Sequence, residues 1–70
     1  MDNMKEMVRM TVENFIRLFT EEEVDLLYMW MDDRFDTTDD LSSIDIRDFY
    51  IEYEMDRIEI LYSMFYVYDK

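Results

Sequence analysis

Val8, Val12, Phe15, Ile16 and Phe19 recur at the three- and four-residue spacing of one helical face. The spacing predicts a first helix over Met4–Phe19, with Asp2 or Asn3 as its N-cap. Glu13 and Arg17 stand at i,i+4 on it, in the order that supports a helix. Thr20-Glu21-Glu22-Glu23 then reads as a capping box. The threonine hydroxyl accepts from the Glu23 amide while the Glu23 carboxylate reaches back. A second helix is expected from there to Arg34, with Val24, Leu27, Tyr28 and Met31 on its buried side. Glu21, Asp25 and Asp32 line another side, flanked by Glu22 and Asp33. Phe35–Ser43, rich in Asp, Thr and Ser, reads as the one loop.

Ser43–Tyr68 carries two patterns. Ile51, Tyr53 and Met55 alternate with Glu52, Glu54 and Asp56, as in a strand, and the enrichment in Ile, Tyr and Phe agrees. Ile44, Ile51, Met55, Ile58, Tyr62 and Phe65 instead share one helical arc, opposite Asp45, Asp48, Glu52, Asp56, Glu59 and Ser63. The helical template sorts more residues over a longer span, so one long helix is expected. Gly and Pro are both absent, which removes the usual turn chemistry of a hairpin. The expected fold is a small all-α domain of about three helices. The alternative is α+β, two helices followed by a β-hairpin at 49–68. A second apolar side of the long helix, Ile46, Tyr50, Tyr53, Ile60, Met64 and Val67, is the expected homodimer interface.

Seventy residues make a single domain, 1–70, near the lower limit for a self-sufficient core. With no Cys and no His, disulfides and the usual zinc sites are excluded. Half the residues are apolar, including Trp30, five Phe and six Tyr, more than one small core encloses. That surplus again points to a partner subunit. The N-terminus lacks the basic start and apolar core of a signal peptide. The longest apolar run that tolerates one Ser, Ile60–Tyr68, falls far short of the roughly 20 residues that span a bilayer. A soluble, cytoplasmic protein is expected.

Charge changes the picture most. Between Thr20 and Asp56 stand fourteen acids: Glu21, Glu22, Glu23, Asp25, Asp32, Asp33, Asp36, Asp39, Asp40, Asp45, Asp48, Glu52, Glu54 and Asp56. Only Arg34 and Arg47 oppose them, so this segment holds the whole net charge of −12, and the remaining five acids and five bases cancel. Asp36, Asp39 and Asp40 do not make a calcium loop, because Leu41 and Arg47 stand where an EF-hand needs Gly and Glu. No metal or cofactor is expected. Neither is catalysis: no nucleophile–base pair or phosphate cradle can be drawn. Direct nucleic-acid binding is opposed by the sign of the charge.

The same electrostatics, reversed, point to a protein that occupies the basic groove of a DNA-binding protein. Neighbours at i,i+4 lie about 5–6 Å apart, close to the spacing of phosphates along a strand. Asp45, Asp48, Glu52, Asp56 and Glu59 are the expected phosphate-like line, joined by Asp36, Asp39 and Asp40. Glu21, Glu22, Asp25, Asp32, Asp33 and Glu54 complete the expected partner-binding belt. In its size, absent Cys, Met and Tyr richness and acidic centre, the chain resembles the small acidic bacteriophage proteins that mimic DNA. Those proteins disable host restriction, repair, CRISPR or nucleoid proteins. The nearest likeness is to inhibitors of the nucleoid-associated protein HU, which occupy its basic arms and cleft. The resemblance implies a host DNA-binding partner, HU-like, met in the host cytoplasm or nucleoid. It is one of composition, and no motif residue carries across. The rival readings are an interaction module of antitoxin or adaptor type, binding through Trp30 and the tyrosines, and a structural oligomer with an incidental acidic face.

Overall fold

The computed structural model describes residues 8–32 and 34–69. The expected caps Asp2 and Asn3, the first residues of the expected Met4–Phe19 helix, and Asp33 lie outside them. The elements are β1 (Val8–Thr11), α1 (Val12–Ile16), α2 (Glu21–Met31), a 3-10 turn (Thr38–Asp40), α3 (Ser43–Glu52), α4 (Asp56–Met64) and β2 (Phe65–Tyr68). The chain is mostly helical, as expected, but it is not all-α: a two-stranded parallel sheet makes it α+β.

The first helix is shorter than its periodicity predicts. Residues 8–11 are extended, and Thr11 caps a helix that begins only at Val12, its hydroxyl accepting from the Asn14 amide at 3.2 Å. The reason is tertiary. Val8 through Thr11 pair with Phe65 through Tyr68, and backbone groups satisfied by a neighbouring strand need no helix. Val8, read as part of the helical stripe, is exposed, while Val12, Phe15 and Phe19 enter the core.

The long helix over Ser43–Tyr68 is also corrected, at two points. It breaks at Tyr53–Met55, where Glu54 takes a left-handed φ of 53°. The Met55 amide donates to the Tyr50 carbonyl at 2.9 Å and the Glu54 amide to the Ile51 carbonyl at 3.2 Å. These two bonds form a Schellman motif, closed here by glutamate where glycine is usual. The helix then resumes as α4 and ends at Phe65, whose backbone is extended. Phe-Tyr-Val-Tyr is β-favouring, and its alternation turns Val67 inward and Tyr66 and Tyr68 outward. The α+β class of the alternative reading is the one that forms, but not its hairpin at 49–68, since β2 finds its partner in β1 at the other end of the chain.

The break returns Ile58 to the same core as Ile46 and Phe49. Aromatic rings run through that core from end to end. Phe15 meets Tyr62, Phe65 and Phe19 edge-on; Phe19 stacks on Phe49; Phe49 touches Trp30, and Trp30 touches Phe35. Ser43, the first residue of α3, is tied to the C-terminal half by both backbone groups. Its amide donates to Asp69 at 2.7 Å and its carbonyl accepts from the Tyr62 hydroxyl at 3.3 Å. Among the described residues no helix is long and apolar enough to cross a membrane.

Candidate functional site

A chain that segregates charge along its length need not do so in space, but this fold does. β1, α1, α4 and β2 pack on one another through the sheet, bringing the two weakly charged ends of the chain together. They carry Arg9, Arg17 and Arg57 against Glu13, Asp56, Glu59 and Asp69. Residues 20–55, which form α2, the loop and α3, carry thirteen acids and two bases. This acidic segment is joined to the near-neutral ends by α3 packing on α4 and by one shared core.

Within the acidic half some carboxylates have structural work. Glu23 is 7% exposed and closes the predicted capping box, accepting from the Thr20 amide at 2.7 Å while its own amide donates to the Thr20 hydroxyl at 3.2 Å. The Arg57 guanidinium also donates to it and reaches the Leu18 carbonyl. Asp45, expected in the partner-binding line, is half-buried and builds a second capping box: the Ser42 amide and hydroxyl both donate to it. The Ser-x-x-Asp spacing ahead of an apolar run is the local signal for that role. Glu52 accepts from the Trp30 indole at 3.1 Å and stands 3.8 Å from Arg34. Arg34 lies over the Trp30 ring at 4.8 Å and donates to the Trp30 carbonyl.

The five-acid line is therefore not a line. Asp45, Asp48 and Glu52 belong to α3, and the break at Glu54 puts Asp56 and Glu59 on the first turn of a separate helix, α4. Among the described residues the rest of the expected belt is exposed: Glu21, Glu22 and Asp25 on α2, Asp32 at its C-cap, Asp36, Asp39 and Asp40 in the loop, and Glu54 at the break. On α2, Glu21, Asp25 and Asp32 fall within an arc of about 40° at 3.6 residues per turn. Tyr28, expected on the buried side, stands outside with them; Glu23, Leu27, Trp30 and Met31 face the core instead. The loop acids are carried by a short 3-10 turn whose N-cap hydroxyl, from Thr37, accepts from the Asp39 amide.

The expected dimer residues part company. Ile46 and Val67 are core residues, Tyr50 and Tyr53 are half-buried against the core, and Ile60 and Met64 are exposed on α4. Trp30, the proposed anchor of the rival aromatic module, is only 4% exposed. A cleft of about 180 Å³ between Thr11–Glu13 and the Thr38–Leu41 loop is smaller than a typical small-molecule site. Among the described residues no group of three or more acids is placed to hold a metal ion. The chain matches no protein-family model, no curated protein and no solved structure.

Proposed function

We propose that this protein is a DNA-mimic inhibitor, which occupies the basic DNA-binding surface of a host nucleoid protein such as HU in the host cytoplasm. The observation that carries the reading is the spatial segregation: α2, the loop and α3 gather the acids while the near-neutral ends pack together elsewhere. Solubility alone is served equally well by mixed signs, and so many like charges in one half cost stability by repulsion. A concentrated negative field speeds encounter with a cationic groove and disfavours anionic partners. The contact acids are Glu21, Glu22, Asp25 and Asp32 of α2, Asp36, Asp39 and Asp40 of the loop, and Asp48 of α3. Glu52 and Asp45 mainly hold the fold.

The test is a competition gel shift between DNA and purified HU, run at two salt concentrations. Wild-type protein should displace DNA, and less so at high salt, as the Debye length falls to about 8 Å near physiological ionic strength. Asp25→Lys, Asp39→Lys and Asp48→Lys combined should abolish displacement, whereas Glu13→Lys on α1 should leave it intact. Equal potency of the two variants would refute mimicry.

The exposed Ile60 and Met64 lie on the near-neutral half, so two copies can meet there without opposing their acidic halves. We assign the homodimer contact to this face of α4.

A further inference from the structure

α2 leaves two large apolar side chains in solvent, Tyr28 at 54% and Met29 at 67% exposed. Both sit inside the acidic face. Tyr28 follows Asp25 by three residues and precedes Asp32 by four; Met29 follows Asp25 by four and precedes Asp32 by three. Helix neighbours at these spacings lie about 5–6 Å apart, so each apolar side chain is bracketed by carboxylates. Tyr28, Met29 and Asp32 line a shallow, open hollow. A surface that only imitated phosphates would have no use for a thioether and a phenol ring between its charges.

The charge around the hollow selects its occupant. A second copy would bring the same carboxylates face to face, and nucleic acid is repelled for the same reason. A cationic partner is attracted, and an apolar or Arg side chain on it is received by surfaces suited to both. The tyrosine face takes a guanidinium, and the flexible methionine adapts to varied apolar shapes. We propose that the α2 face docks a basic amphipathic segment of the target, with Lys or Arg against Asp25 and Asp32 and an apolar side chain between Tyr28 and Met29. This rests on the acidic-belt reading and names what the belt recognises: positive charge with an apolar anchor, and not positive charge alone.

The experiment measures binding of the full chain to two synthetic peptides of equal length and equal Lys/Arg charge. One has leucines along one helical face, the other serines at those positions. The leucine peptide should bind about tenfold tighter, a difference of about 1.4 kcal/mol. Tyr28→Ser with Met29→Ser should erase that advantage while the serine peptide still binds with the same salt dependence. Both residues are exposed, and circular dichroism checks that the double variant keeps its helices. Equal binding of the two peptides to wild type, or an advantage retained in the double variant, overturns the anchor. Should neither peptide bind at low salt, or should Asp25→Lys/Asp39→Lys/Asp48→Lys leave serine-peptide binding untouched, the acidic-belt reading falls and the anchor with it.

Discussion

The Glu23 carboxylate, at the N-terminus of α2, accepts a hydrogen bond from the guanidinium of Arg57 on α4, 34 residues away. Arg57 is one of the few bases in the chain, and the fold brings it to the one acid that is buried among the described residues. The contact joins α4 to the N-terminus of α2, on the same carboxylate that caps that helix.

Removing either partner of this pair should cost unequal amounts. Arg57→Met leaves a buried carboxylate with only the Thr20 amide as donor, and should destabilise by about 2 kcal/mol. Glu23→Gln keeps the capping geometry and removes the charge, so its cost should be smaller, about 1 kcal/mol. Urea unfolding of the two variants and their double mutant checks the order and the coupling.

Glu54 holds a left-handed backbone that glycine adopts without strain. Glu54→Gly should therefore raise stability by about 0.5–1 kcal/mol, despite the entropy glycine adds to the unfolded chain. For a domain of this size that corresponds to a rise of several degrees in Tm. Thermal unfolding followed by far-UV circular dichroism reads it directly.

Phe49 is fully enclosed and its ring meets those of Phe19, Trp30 and Tyr53. Phe49→Ala should cost about 3–5 kcal/mol through lost burial and the cavity left behind. That is a large share of the stability open to a 70-residue domain, so the variant should be substantially unfolded at 25 °C. Loss of near-UV dichroism and a broadened thermal transition are the expected readings.

The acidic half repels itself, and salt screens that repulsion. Raising NaCl from 10 mM to 1 M shortens the Debye length from about 30 Å to about 3 Å. Tm should therefore rise with NaCl, and should rise less for Asp25→Lys/Asp39→Lys/Asp48→Lys, whose repulsion is already relieved. A falling Tm for wild type would show that the belt is not a source of strain.

If α4 carries the dimer contact, sedimentation of the wild type at tens of micromolar should give a dimer. Ile60→Glu with Met64→Glu should yield monomer with unchanged helix content, because both residues are exposed. Ile46→Glu should instead unfold the chain, since Ile46 lies in the core.

The sequence by itself determined the features that depend on few residues or on none in particular. The Thr20–Glu23 capping box spans four residues, so local spacing was enough to place the start of α2. The polar run after Phe35 was legible as a loop for the same reason. Net charge sums over side chains whatever their conformation, so the acidic centre was visible before any fold. Tertiary structure decided the rest. Residues 8–11 and 65–68 satisfy helix and strand patterns alike, and only their pairing with each other, from opposite ends of the chain, selects the strand. Periodicity alone runs a helix straight through Glu54, because no glycine marks the stop; the break follows from returning Ile58 to the core beside Ile46 and Phe49. Local spacing marks Glu23 as the cap residue, but not as the partner of Arg57, because an ion pair formed across the fold leaves no trace in local spacing.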